Sequence, residues 1–354
     1  MLSKIINLLR FPLSFLIVLL HSNCITNNGY HYDTGIGDFF MVCFTNGICQ
    51  VAIPAFAFIS GYLFFFFFST WDYNTYKTKI KKRFYSLFIP YMTWNIIAFL
   101  WIVFYQSILN IFKHTHFDII EIFHSVGGIR LFWDTYDTMP LDGPLWYIRD
   151  LIFVVLLSPI IMLFIKKTKL WGMILFTCFF LANIWHPFVH HPSQKMVVYF
   201  FTLGAYFHLE NIDFLLLFRN NHLIIYVFSI LSLLTMIFTF GYNAYFYRLA
   251  NDLFTIFGCA AIICLADVIV KNYNTNIIPS YYSDSSFFIY AAHRFAIIDI
   301  ISSLYSVIFP VNNQAQLAIK YFTIAILTTY ICLFLFLLLK QKFPKFLSYI
   351  NGGR

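Results

Sequence analysis

The stretch RFPLSFLIVLLH, residues 10–21, places a strong cation and an imidazole at the two ends of one apolar segment. In a helix, Arg10 and His21 lie about three turns apart on nearly the same face, roughly 16 Å from each other along the axis. Ionisable side chains inside a membrane segment are costly and usually serve a site. This segment therefore predicts a first membrane helix that also carries functional groups.

The composition of the whole chain is that of a protein embedded in lipid. Hydrophobic residues make up 60% of the 354 residues and charged residues only 11%, whereas a soluble domain has about 25% charged residues. The mean hydropathy is +0.75. We expect one transmembrane domain over residues 1–354, without a fused soluble domain. Nucleic-acid binding is not expected, because the basic residues stand at the ends of apolar segments.

The apolar segments predict an all-α bundle of about ten membrane spans, since one span needs about 20 apolar residues. The ninth span is interrupted by His293, Arg294 and Asp299. The predicted spans are Leu2–Asn23, Gly47–Phe68, Phe84–Ile108, Pro144–Ile165, Leu170–Trp185, Met196–Leu209, Leu223–Phe240, Leu253–Val270, Ser285–Phe309 and Leu317–Leu339.

The distribution of lysine and arginine predicts the orientation. With the N-terminus inside, the inner loops hold the basic runs at 77–83, 166–169 and 340–345, whereas the outer loops hold only Lys113, Arg130, Lys195 and Arg248. Cytoplasmic loops are enriched in Lys and Arg. We therefore expect both termini in the cytoplasm. No small-residue cleavage site follows His21, so we expect an uncleaved first helix.

No metal site is expected. The seven cysteines show no CxxC spacing. Histidines and carboxylates in the outer loop between Asn110 and Gly143 fit no compact ligand motif and are interpreted as solvated loop residues. The same holds for the outer-loop histidines His186, His190 and His191.

Five stretches resemble, in order, the motifs of the membrane-bound acyltransferase-3 family. The Arg-x10-His pattern of residues 10–21 is followed by IPAFAFISGYLF (53–64), KKRFYSLFIPYMTW (81–94), GPLWYIRDLIF (143–153) and SSFFIYAAHRF (285–295). The resemblance implies a multi-pass protein of the bacterial inner membrane that transfers an acyl group, usually acetyl. The implied co-substrate is acetyl-CoA or another acyl-CoA, with no bound cofactor. The implied acceptor is a hydroxyl of a cell-surface or lipid-linked glycan.

The residues support roles within this reaction. His21 is the predicted general base, because a neutral imidazole accepts a proton near physiological pH. Its alternative roles are a transient acyl carrier and a structural residue that caps the end of the first helix. Arg10 is predicted to bind a donor phosphate, although an arginine near a helix end also snorkels to lipid headgroups. Arg83 is likewise predicted either to bind a donor phosphate or to contact lipid headgroups. Ser60 is a candidate donor contact, and Gly61 beside it permits close helix packing.

Three further residues are candidates for acceptor binding or for support of the site: Trp146, Tyr290 and His293. His293 lies one helical turn after Tyr290, on the same face. Arg149 and Asp150 are adjacent, so they point about 100° apart on a helix. We therefore expect each of them to find a partner elsewhere in the bundle.

Two other functions remain open from the sequence. A transporter or flippase for a lipid-linked glycan also has charges within the membrane and broken helices, but the chain shows no internal repeat. A membrane-bound O-acyltransferase of a different fold would need a paired Asn and His in later helices, for which Asn183 and His186 are the candidates.

Overall fold

The computed structural model describes residues 1–22, 35–66, 72–113, 116–134, 139–183, 194–273, 275 and 278–353. Every regular element in these ranges is helical, which confirms the predicted all-α class for this part of the chain. The first eight α-helices are α1 (Leu2–His21), α2 (Ile36–Met41), α3 (Ala52–Phe65), α4 (Tyr73–Arg83), α5 (Ile89–Lys113), α6 (Ile119–Ser125), α7 (Trp146–Leu156) and α8 (Ser158–Ala182).

The second half of the chain continues in the same way. Its helices are α9 (Gln194–Leu209), α10 (Phe214–Asn220), α11 (His222–Thr239), α12 (Ala244–Asn272), α13 (Ser280–Ala292), α14 (Ile298–Ile308), α15 (Gln314–Lys342) and α16 (Pro344–Ile350). Wider π-helical turns occur at Val42–Gly47, Phe84–Phe88 and His293–Ile297.

Helix α1 occupies a central position in the bundle. Its buried residues include Ile5, Leu9, Leu13 and Ile17, which form one apolar stripe because they recur every four residues. The helix packs against α3, α12, α13 and α15. The Ser14 hydroxyl donates a hydrogen bond to the backbone carbonyl of Ser286 at 3.0 Å. This bond joins α1 to α13 between the two ends of the Arg10–His21 segment.

Helices α3 and α9 cross at two glycines. A Cβ atom at Gly61 would lie 2.0 Å from the backbone oxygen of Phe201, and one at Gly204 would lie 2.1 Å from the backbone oxygen of Phe58. Both neighbours are backbone atoms and cannot move aside like a flexible side chain. Gly61 therefore serves close helix packing, as interpreted from the sequence.

Six helices or helix runs in the described part are long and apolar enough to cross a membrane. A seventh is obtained if α7 and α8, bent by 61° at their junction, count as one span. The six are Leu2–His21, Ile36–Phe65, Tyr73–Phe112, His222–Thr239, Ala244–Asn272 and Gln314–Lys342. A multi-pass membrane protein is thus supported, whereas the count of ten remains a prediction.

The predicted spans outside these six appear as shorter or broken elements. The chain breaks within α8 at Lys169, where φ is 51° and ψ is −137°, which matches the predicted boundary between Ile165 and Leu170. The sixth predicted span corresponds to α9, of 16 residues. The ninth is divided into α13, the π-turn and α14. The predicted span ends at Asn23, Phe68 and Trp185 lie outside the described residues.

The orientation can be checked by labelling introduced cysteines. In a variant lacking the natural cysteines, we expect His116→Cys to react with a membrane-impermeant maleimide in intact cells. Lys81→Cys and Lys342→Cys should react only after permeabilisation, because basic loops stay in the cytoplasm. Reaction of His116→Cys only after permeabilisation would reverse the orientation.

Candidate functional site

A cavity of about 350 Å³ lies between α1, α3, α7 and α13. Its wall is largely apolar, with a few polar side chains that converge on it, as in most small-molecule sites. The polar and ionisable residues that line it are Arg10, Ser14, Ser60, Arg83, Tyr147, Ser283, Asp284, Ser286 and Tyr290.

Four of the residues selected from the sequence line this cavity, namely Arg10, Ser60, Arg83 and Tyr290. They come from four different parts of the chain, and only the folded bundle brings them together. Arg10 and Arg83 are both half-buried. Two guanidinium groups at one cavity suit an anionic ligand, because the planar fork donates several hydrogen bonds to a phosphate.

Arg10 also lines a second cavity, of about 690 Å³, which shares Ser283 and Asp284 with the first. The negative charge of Asp284 acts on the Arg10 guanidinium, and Lys340 Nζ lies 3.3 Å from Asp284 Oδ2. The group of Arg10, Arg83, Lys340 and Asp284 therefore keeps a net positive charge. Asp284 directly precedes the SSFFIYAAHRF motif, and the motif pattern does not indicate it.

His21 lies at the other end of α1 and does not line the first cavity. Its Nδ1 atom is 3.0 Å from Nη1 of Arg294. Its ring lies 5.2 Å from the ring of His293, centroid to centroid, at an angle of 33°. His293 is fully buried, and its Nδ1 atom lies 2.8 Å from the backbone oxygen of Tyr290. The C-terminal end of α1 thus holds a pair of imidazoles beside one guanidinium.

His293 and Arg294, which meet the end of α1, stand at a break in the helix after α13. His293–Ile297 form a π-helical turn, and Ala296 within it has a φ of 59°. A residue with a Cβ atom is strained in this left-handed region. Such turns are frequent at functional sites. The polar interruption predicted in the ninth span is therefore a local change of helix geometry.

Trp146 does not line the cavity, whereas its neighbour Tyr147 does. Trp146 packs at the edge of the core and contacts the Tyr147 ring. Tyr290 lines the cavity, and its hydroxyl donates to the backbone carbonyl of Pro144. Of the two aromatic residues in this motif, only Tyr147 lines the cavity. The rotation of α7 about its axis decides which of the two side chains faces it.

The expectation that Arg149 and Asp150 do not pair is wrong. Arg149 Nε lies 2.9 Å from Asp150 Oδ1, and both side chains are buried. The Arg149 Nη1 atom also donates to the backbone oxygen of Trp133 at 2.5 Å. The 100° angle constrains only the Cα–Cβ directions, and the long arginine side chain curls back to its neighbour.

Two ionisable groups from predicted loops are buried in the structure. Lys195, assigned to an outer loop, forms a buried ion pair with Asp252 of α12 at 2.5 Å. Asp142, just before α7, is also buried. Burial raises the pKa of the Asp142 carboxyl well above its ordinary value, and the positive charge of Arg294 opposes part of this rise.

The interpretation of the carboxylates in the loop 110–143 as solvated is wrong for Asp142, which is buried and interacts with the charge of Arg294. His116 and Glu121 form an exposed pair at 3.2 Å. Asn183 stands just after α8, but its proposed partner His186 lies outside the described residues, as do His190 and His191.

The sequence matches the family model of the acyltransferase-3 domain, described as an acyltransferase domain, over residues 3–338. The match covers nearly the whole chain and all five motifs. No curated protein sequence and no solved structure matches the chain.

Proposed function

Because the chain belongs to the acyltransferase-3 family, we propose that it transfers an acyl group, in the first instance acetyl, from acyl-CoA to a hydroxyl of a cell-surface or lipid-linked glycan. Family membership makes it a membrane acyltransferase. The acyl-CoA donor, the glycan acceptor and the location in a bacterial inner membrane are parts of the proposal.

The observation that carries the proposal is the division of ionisable groups along α1. Arg10 and Arg83 line a cavity near the predicted cytoplasmic side, where an acyl-CoA would enter. His21 and His293 lie together at the opposite end. A CoA arm has phosphates at one end and a thioester at the other, roughly the length that separates Arg10 from His21 on a helix.

The proposed reaction needs few groups. The acceptor oxygen attacks the thioester carbonyl carbon, forming a C–O bond, and one imidazole takes the hydroxyl proton. The tetrahedral intermediate collapses as the C–S bond breaks, and the CoA thiolate receives the proton. Ser60 and Tyr290 line the cavity that we propose for the CoA arm. Trp146 contacts Tyr147, which forms part of the wall of this cavity.

The proposal is tested with purified protein in lipid nanodiscs. Incubation with radiolabelled acetyl-CoA and extracted lipid-linked glycan should move label to the glycan and release free CoA in equal amounts. The label should be lost on mild alkaline hydrolysis, as expected for an ester. Failure to label the glycan with acetyl-CoA and with longer acyl-CoAs would overturn the proposal. Movement of a fluorescent lipid-linked glycan across liposomes, without acylation, would instead favour the flippase.

A further inference from the structure

We propose that His293 is the general base of this acyl transfer and that His21 acts as a hydrogen-bond donor through its Nε2–H group. The inference rests on the proposed function and assigns different roles to the two imidazoles. It reverses the sequence prediction, in which His21 takes the proton. The reason is the direction of the hydrogen bond that each ring makes through its Nδ1 atom.

The contact with Arg294 determines which nitrogen of His21 carries the proton. Nη1 of Arg294 lies 3.0 Å from His21 Nδ1. A guanidinium group has only donors and stays protonated. His21 Nδ1 must therefore accept this bond with its lone pair. In the neutral ring the proton is then on Nε2, which presents a donor and has no lone pair to take a proton.

His293 has the opposite arrangement. Its Nδ1 atom lies 2.8 Å from the backbone oxygen of Tyr290 and 3.2 Å from that of Ile289. Carbonyl oxygens only accept, so Nδ1 carries the proton and Nε2 keeps its lone pair. His293 is 0% exposed, and its Nε2 atom has no hydrogen-bond partner in the described part of the chain. A buried lone pair without a partner is what a base needs when the acceptor hydroxyl arrives.

The two rings are close enough to act on one reacting centre. Their centroids are 5.2 Å apart. His293 Nε2 takes the hydroxyl proton while the hydroxyl oxygen forms its bond to the thioester carbon. His21 Nε2–H donates to the carbonyl oxygen as negative charge develops there, and Arg294 adds its positive charge through the same ring. Collapse breaks the C–S bond, and the proton on His293 Nε2 passes to the CoA thiolate.

Glutamine variants separate the two roles, because the glutamine amide places a donor near the Nε2 position but cannot take a proton at neutral pH. His21→Gln should keep most of the donor function and lose at most about 10-fold in turnover, against about 10²–10³-fold for His21→Ala. His293→Gln should lose about 10²–10⁴-fold. Turnover is measured as acetyl transfer in nanodiscs, with acetyl-CoA affinity and thermal midpoint recorded for each variant. His222→Gln, an exposed histidine elsewhere, is the matched control and should keep wild-type turnover.

The variant Arg294→Met distinguishes the two assignments of His21, as hydrogen-bond donor or as base, because they predict different changes in turnover. If His21 Nε2–H is the donor, Arg294→Met frees Nδ1, relaxes the tautomer and should lower turnover by about 10-fold or more. If His21 is the base, the same change uncovers its lone pair and should leave turnover equal or higher.

The proposal is overturned if Arg294→Met does not lower turnover, or if His21→Gln loses as much as His293→Gln. A His293→Gln protein that does not fold leaves the Arg294→Met test decisive. All these outcomes require a wild-type protein that transfers acetyl, so failure of the proposed function is seen separately.

Discussion

Replacing Arg10 with alanine should weaken acetyl-CoA binding by about 10- to 150-fold, because a hydrogen bond to a charged group contributes about 1.5–3 kcal/mol and each 1.4 kcal/mol is tenfold in affinity. Arg10 lines both cavities on the N-terminal half of α1 and is half-buried. It makes no hydrogen bond to another residue in the part of the chain that the structure describes, so the loss should fall on the ligand and not on the fold. Calorimetry or a filter assay in nanodiscs measures the affinity.

Further variants test whether the Arg10 charge or its planar guanidinium group binds the donor, and whether Arg83 binds it as well. Arg10→Lys should retain part of the affinity, since the charge remains while the planar fork is lost. Arg83→Ala should show a parallel loss if both cations bind donor phosphates. Lys82→Ala is the matched control, because Lys82 is exposed and does not line the cavity. Wild-type affinity in Arg10→Ala would remove Arg10 from the donor site, and wild-type affinity in Arg83→Ala would return Arg83 to the lipid interface.

Replacing Lys195 with methionine should lower the free energy of unfolding by about 3–5 kcal/mol, the usual effect of removing one partner of a buried ion pair. Lys195 Nζ lies 2.5 Å from Asp252 Oδ2, and the two side chains are only 7% and 1% exposed. The ammonium also lies 4.8 Å from the centre of the Phe180 ring. Methionine fills a similar volume but leaves the carboxylate buried without its counter-charge. Thermal unfolding in detergent measures the change.

Two comparisons isolate the cause. Arg130→Met removes a pair with Asp134 in which the arginine is 65% exposed, so it should leave the thermal midpoint close to that of the wild type. The double variant Lys195→Met with Asp252→Leu removes both buried charges and should recover most of the loss. A Lys195→Met protein as stable as Arg130→Met would show that the pair does not hold α9 to α12.

Several features of the site follow from local sequence alone. Arg10 and Ser60 were candidates because each stands inside an apolar helical segment, and both line the cavity. The interruption of the ninth predicted span at His293 and Arg294 corresponds to a π-helical turn, a geometry that is frequent at functional sites. Gly61 was selected for close packing, and its missing Cβ atom does admit the backbone of Phe201.

Other features depend on helix rotation and side-chain conformation, which local patterns do not contain. Tyr147 faces the cavity in place of Trp146, although both belong to one motif. Arg149 bonds its own neighbour because a long side chain reaches positions that Cα geometry does not predict. Lys195 directly precedes a predicted span, so only its contact with Asp252 of α12 identifies it as a buried charge.

The amino-acid sequence by itself determined that this protein is a bundle of membrane helices, and which ionisable residues stand inside its apolar segments. Both are local properties, because hydropathy and helical period are read within about twenty residues. Only the tertiary structure decided which of these groups meet. Arg294 contacts His21 although the two lie 273 positions apart. The packing of α13 against α1 brings the guanidinium donor of Arg294 to His21 Nδ1, a contact that no local pattern contains.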